Sequence, residues 1–222
     1  KFIAVSFLIT MIIFSSISIY AAQEKTKKVI IEDESRQVMS VMSTAVQDSS
    51  RAASEVIKER REAEKKEQQQ RYLNGLSAYI RHINGNVSKT EADVMAESFV
   101  KYAEKYNVDE KIVMAVAQNE STYYSDAVSC ENFKGLMQTG DGLAENAGYS
   151  PSELFNPEIS IKVGSKYLSA KIDEFGDIRL ALTAYNQGSG SVHSGNYSTG
   201  YADLAINRAE AVEAFLQTNG YQ

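Results

Sequence analysis

The stretch "KIVMAVAQNES", Lys111 to Ser121, puts a carboxylic acid where helical spacing asks for an apolar side chain. Val113, Val116 and Ala117 share one face by the i, i+3, i+4 rule, and Glu120 is the next position on that face. Burial penalises the charged form, and the C-terminal end of a helix repels negative charge, so both effects raise a carboxyl pKa there. A carboxyl that keeps its proton near neutral pH can give it to a leaving group, which is general-acid chemistry. The plain structural alternative is a carboxylate satisfied by local hydrogen bonds at a helix terminus.

Few other residues can join Glu120 in chemistry. The chain has one cysteine, Cys130, so no intrachain disulfide and no multi-cysteine zinc site can form. Its two histidines, His82 and His193, are far apart and leave too few ligands for zinc. No metal or cofactor is expected, although an all-carboxylate calcium site stays open. A Cys130 nucleophile would need His193 as its base; His193 in "GSGSVHSG" reads more simply as a loop residue. Asp126, Glu131, Asp141 and Glu145 follow Glu120 in one long polar connection, and any of them is a candidate second carboxylate.

The elements that must position these groups read as all-helical. Asn84, Gly85 and Asn86 mark a turn, and Ser88 with Glu91 three residues later makes a capping box. Met95, Phe99, Tyr102 and Tyr106 then form a core stripe, and a second helix runs from about Asp109 to Glu120. The region from Ser121 to Ser152 is an irregular, functional connection. Asn156 and Pro157 open the next helix as N-cap and first-turn residue, with Ile161, Tyr167, Leu168, Ile172 and Phe175 inward and Gly176 at its end. "IRLALTAYN" is another helix, and the last, from about Tyr201 to Leu216, presents Leu204, Ile206, Ala211, Val212 and Phe215. No alternating strand pattern occurs.

Upstream the composition changes twice. Residues 1–22 hold no acid and a single basic residue, and the run from Phe2 to Phe14 is strongly apolar, as in a signal peptide or an uncleaved membrane anchor. Lys25, Lys27 and Lys28 just beyond it count somewhat against translocation. Residues 23–85 then read as a helical spacer, with no proline and only one glycine between Glu34 and Ile83. Val38, Met42, Ala45, Ala52 and Val56 make a thin seam, which leaves a solvated spacer and a coiled coil with a partner helix along 34–83 both open. Residues 86–222 form the globular domain. It carries 10 Lys and Arg against 19 Asp and Glu, which excludes nucleic-acid binding through clustered basic residues.

Four fragments in order carry a resemblance: "NES" with Glu120-Ser121, "NFKGLMQTG", "LFNPEISIKVGSKYL" and "LALTAYNQGSG". From about Lys89 to Val192 the chain resembles the catalytic domain of the soluble lytic transglycosylases, relatives of goose-type lysozyme. The resemblance implies a lysozyme-like all-α transglycosylase domain, here preceded by the helical spacer and the apolar segment. It implies Glu120 as the catalytic acid/base and Ser121 as a residue orienting substrate or the acid. Gly135, Leu136, Met137 and Gln138 match the segment lining the glycan groove, with Gln138 facing a sugar N-acetyl or hydroxyl group. Tyr185 matches a tyrosine set against the catalytic carboxyl and Asn186 an asparagine on the sugar, while Gly188 keeps the nearby backbone bare. Two stretches depart from the pattern. "TGDGLAENAG" reads as a flexible acidic insertion, and in "STGYADLAINRAEAV" Tyr201 stands in for a later tyrosine of many relatives.

What the resemblance implies is an extracytoplasmic enzyme, secreted to the wall or tethered at the outer face of the cytoplasmic membrane. It cleaves the MurNAc to GlcNAc β-1,4 bond of peptidoglycan strands with one carboxylate and leaves 1,6-anhydromuramic ends, for instance beside an envelope-spanning machine. The alternatives are a muramidase of the same fold and a non-catalytic peptidoglycan-binding scaffold.

Overall fold

The computed structural model describes residues 2–221, with side chains from residue 10 onward. The proposed signal or anchor over residues 1–22 therefore falls partly outside the described side chains. Among the described residues no helix is long and apolar enough to cross a membrane. They form no extended strand, only isolated bridges pairing Lys134 with Val128 and with Thr139. The chain separates into two compact units, residues 1–64 and 65–222.

Helix α1, Phe2–Ile83, supplies all of the first unit and the start of the second. Within the first unit its described side chains are exposed. The second unit adds α2 (Lys89–Tyr106), α3 (Glu110–Ser121), α4 (Asp141–Asn146), a 3-10 turn (Pro151–Phe155), α5 (Pro157–Phe175), α6 (Ile178–Gln187), α7 (Ser189–His193) and α8 (Gly200–Thr218). Their ends follow local chemistry. Ser88 Oγ accepts from Glu91 N–H, Asp109 Oδ1 from Lys111 N–H, Asn156 Oδ1 from Glu158 N–H and Asp177 Oδ1 from Leu180 N–H, each satisfying an orphan first-turn donor. Only half of the expected capping box at Ser88 forms, because the Glu91 carboxylate accepts from the Ser125 hydroxyl instead.

α3 is the centre of this unit. Val113, Met114, Ala115, Val116 and Ala117 are wholly buried among α2, α5 and α8. The buried face of α8 is made of Ala202, Ala205, Ala209, Val212 and Leu216; of the expected stripe Val212 is buried, Ile206 and Phe215 pack partly against the core, and Leu204 and Ala211 are exposed. Small side chains let α8 come close to α3, and close approach outranks side-chain size in choosing the packed face. "TGDGLAENAG" is not a flexible insertion either: it folds as α4, which buries Ala144 with Leu154 and Val163 in a small second cluster.

The last turns of α1 belong to the globular unit rather than to a spacer ending at residue 85. Leu76, Tyr79 and Ile80 are buried in the main core. Tyr72 Oη donates to Glu110 Oε1 (2.5 Å), Tyr79 Oη to Gln118 Oε1 (3.0 Å) and Asn84 Nδ2 to the Thr122 carbonyl (2.9 Å). The last two bonds grip α3 two residues before and two residues after Glu120. A partner helix expected along 34–83 is thus excluded from the final turns, whose apolar face is already covered. Leu76→Ala should destabilise the globular unit by about 2–5 kcal/mol, as burial of a whole leucine implies. Chemical denaturation measures this, and a change below ~0.5 kcal/mol would return these turns to the spacer.

Candidate active site

Glu120 sits half-buried in the last turn of α3, on the wall of a cleft of about 460 Å³. Its Oε1 accepts a 2.5 Å hydrogen bond from Tyr201 Oη, presented by the first turn of α8. Burial lifts the Glu120 carboxyl above its ordinary value, while the Tyr201 bond, which favours the ionised form, pulls the other way. Burial and then the Glu120 charge push the Tyr201 hydroxyl far above the usual phenol range, so it remains a donor. Tyr201 is itself held by α3: Asn119 Nδ2 reaches the Tyr201 carbonyl at 3.4 Å, and Arg208 Nη1 donates to Asn119 Oδ1 at 2.6 Å.

The segment after the long connection braces this wall from behind. Ser121 Oγ lies 2.9 Å from the Leu136 carbonyl and 3.1 Å from the Ala117 carbonyl, so it ties α3 to the segment instead of touching the acid. Gly135, Leu136 and Met137 are buried and back the cleft, a correction to their expected place on its surface. The approach of the backbone requires glycine twice. A Cβ on Gly135, at φ +72°, would lie 1.9 Å from the Leu154 carbonyl oxygen, and a Cβ on Gly164 would lie 2.5 Å from Met137 Cβ. Tyr185 Oη donates to the Met137 carbonyl at 2.8 Å and not to Glu120. Its ring nevertheless lines the cleft, and the Glu120 charge adds to burial in raising its hydroxyl.

Gln138 and Asn186 do line the cleft, with Tyr167, Phe133, Leu143, Thr139, Gly140 and the rim residues Ser129, Cys130 and Glu131. Gln138 holds an unusual backbone, φ +44°, and its Nε2 donates to the carbonyls of Ala127 and Gly135. The cleft therefore meets an amide whose donors are engaged inward. Thr139 was not singled out from sequence. Its hydroxyl is buried behind the cleft wall with no hydrogen-bond partner among the described residues. Tyr167, expected to face inward, packs partly against the core and at 5.1 Å on Tyr185, and it also lines the cleft. Only its place beside Gly164 on α5 hinted at this.

Of the four candidate second carboxylates, Glu131 lines the cleft, and Asp141 is ion-paired to Lys134 at 2.5 Å. Asp126 and Glu145 are exposed and are not among the lining residues. His193 is no base for Cys130: its Nε2 lies 2.9 Å from Glu174 Oε1, and its ring packs on Phe175. Lys171, Ser189 and His193 hold Glu174 down to about 2. Among the described residues no group of three metal-ligating side chains converges.

Residues 97–204 match the family model of the transglycosylase SLT domain. The soluble lytic murein transglycosylase of Escherichia coli (strain K12) is 34% identical over 134 residues, 55% of this chain and 20% of that protein. The membrane-bound lytic murein transglycosylase C of Serratia proteamaculans is 36% identical over 109 residues, 41% of this chain and 30% of that protein. The crystal structure of the 70 kDa soluble lytic transglycosylase of Escherichia coli aligns with a TM-score of 0.49 at 22% identity, over 67% of this chain and 29% of that one. The chain thus spans between a fifth and two fifths of the length of the curated relatives it matches.

The pKa of Glu120 has a consequence for stability. A carboxyl whose folded pKa lies above its unfolded value supports the fold fully below the unfolded value, and that support is lost as pH rises through the folded one. Glu120→Gln, which cannot ionise, should therefore raise the thermal midpoint at pH 7 by on the order of 2–4 °C and change it little at pH 4. Calorimetry at the two pH values checks this, and equal shifts at both would mean that Glu120 is not desolvated.

Proposed function

We propose that the chain is a peptidoglycan lytic transglycosylase, with Glu120 as its single acid/base. The observation that carries this reading is the desolvated Glu120 carboxyl on the cleft wall, hydrogen-bonded to Tyr201. The SLT-domain match and the lytic murein transglycosylase relatives support the substrate class. A glycan strand lies along the cleft between Gln138, Asn186 and the aromatic wall of Tyr167 and Tyr185. Glu120 protonates the oxygen of the MurNAc to GlcNAc β-1,4 bond. As that bond breaks, the N-acetyl oxygen of the substrate steadies the cationic carbon. The Glu120 carboxylate, now charged and stabilised by the Tyr201 donor, removes the proton of the muramic 6-hydroxyl, and that oxygen closes the 1,6-anhydro ring. The proton lost in the first step is regained in the second.

A second reading, a muramidase, has one specific support. Glu131 stands on the same cleft and could activate a water, as two-carboxylate glycosidases require. The two readings differ in their products. Mass spectrometry of muropeptides released from purified sacculi should find anhydromuramic ends with the native chain and none with Glu120→Gln. Reducing ends that vanish in Glu131→Gln would establish the hydrolase, and no release by the native chain would leave a scaffold that only binds glycan. The reading places the enzyme outside the cytoplasm, with residues 1–22 as signal or tether and wall opening confined to the neighbourhood of an envelope-spanning machine.

The Tyr201 bond sets the pH range of the acid. Activity falls as pH rises through the raised pKa of Glu120, because the proton donor is lost. Tyr201→Phe removes a donor that favours the carboxylate, so Glu120 should keep its proton to higher pH. The alkaline limb of the kcat/KM profile should move upward, together with a loss in rate of roughly tenfold or more because the carboxylate formed in the first step loses its support. A limb that stays in place would mean that a group other than Glu120 controls it.

A further inference from the structure

Between Val38 and Ile57 the first unit carries an apolar arc without a partner. Val38, Met39, Val41, Met42, Val46, Val56 and Ile57 are all more than half exposed, and Ala45, Ala52 and Ala53 complete the arc. At 100° per residue these positions, with Ser49, fall within about 160° of the helix circumference. Arg36, Ser40, Ser43, Gln47, Ser50, Arg51, Ser54 and Lys58 occupy the opposite side. Side chains of this size left in water on a helix forfeit the burial that normally sustains it.

We propose that this arc is the seam of a parallel, in-register coiled coil between two copies of the chain. Ile31, Ser35, Val38, Met42, Ala45, Ser49, Ala52, Val56, Glu59 and Ala63 follow one another at alternating steps of four and three, the spacing of heptad positions a and d. In that register Lys27, Glu34, Val41, Asp48, Glu55 and Glu62 flank the seam at position g, and Glu32, Met39, Val46, Ala53 and Arg60 at position e. A parallel pair sets g of one helix beside e of the other five residues on. This matches Lys27 with Glu32 and Glu55 with Arg60, each twice by symmetry, and Val41 with Val46. Its like-charged contact, Glu62 with Glu67, falls at the seam's end. An antiparallel pair sets g against g and gathers Glu34, Asp48, Glu55 and Glu62 along one edge, where like charges repel. The intrahelical pairs Arg51–Glu55 (3.6 Å) and Arg60–Glu64 (2.9 Å) are exposed and weak, so Glu55 and Arg60 can exchange them for the contact between helices.

A lipid surface fits the arc less well. No aromatic residue lies between Ala21 and Arg71, whereas interfacial helices combine aromatic anchors with Lys and Arg.

The test uses the full chain in detergent micelles, with Cys130→Ser to remove the native thiol. Sedimentation velocity should find a dimer, and Val56→Cys, at position a, should form a disulfide-linked dimer roughly tenfold faster under mild oxidation than Ser54→Cys on the polar side. An antiparallel pair would hold the two Val56 positions far apart. Met42→Lys with Val56→Lys should give a monomer whose helix content by circular dichroism is reduced, since the helix loses the burial that sustains it. A monomer with the native arc overturns the proposal and hands the arc to a lipid surface or a different helix. A dimer that survives Met42→Lys with Val56→Lys overturns it too and assigns association to residues outside the seam. Equal cross-linking at residues 54 and 56 rules out the register.

Discussion

A carboxyl group can be held away from water only where the surrounding structure supplies what water would have supplied. Around Glu120 that supply is deliberately thin: burial raises its pKa, and one hydroxyl, from Tyr201, opposes the effect. Full satisfaction by backbone amides or an arginine would have produced a permanently ionised, inert carboxylate. No satisfaction at all would have produced a carboxyl that holds its proton too tightly to give it to a leaving group. One neutral donor that is itself too buried to ionise leaves both states of Glu120 accessible, which is what an alternating acid and base needs.

The rest of the domain can be understood as the means of keeping that carboxyl in place. The end of α1 grips α3 on both sides of Glu120 through Tyr79 and Asn84. Ser121 and Tyr185 bind the carbonyls of Leu136 and Met137, so the segment behind the cleft serves as a spine on which the acid's helix and α6 are both fastened. Gly135 and Gly164 permit that spine to sit against the 3-10 turn and α5 at distances that any side chain would forbid. Residues that in sequence look like a sugar-binding surface thereby act as its support. The surface itself comes from the polar residues on either side, Gln138 and Asn186, and from two packed tyrosine rings.

Function at the level of the whole chain depends on a second kind of constraint. The SLT-domain match covers residues 97–204, yet the core continues into α1, where Leu76 and Ile80 are as fully buried as Phe99. A helix that enters the core in this way is anchored at one end by burial. The arc from Val38 to Ile57 stands on the same helix in the other unit, and among the described residues its apolar side chains are exposed.

What the sequence determined by itself was governed by short-range physics. The helices, their Ser88, Asp109, Asn156 and Asp177 caps, the Gly176 stop and the presence of Glu120 on an apolar face all depend on residues within about four positions of one another, so periodicity and capping rules suffice. The order of four short fragments then pointed to the family. Tertiary structure decided the rest. Tyr201 lies 81 residues from Glu120, and nothing in the local pattern distinguishes it from the twelve other tyrosines as the donor to that carboxyl. The packed side of α8 was partly misjudged for a related reason: its alanines win by allowing close approach to α3, a property of two helices together. The same holds for Leu136 and Met137, whose apolar character fits a groove or a core equally, and for the last turns of α1, whose heptad-like composition conceals a destination in the core. Side-chain type fixes which environments a residue tolerates, and only the meeting of distant elements selects among them.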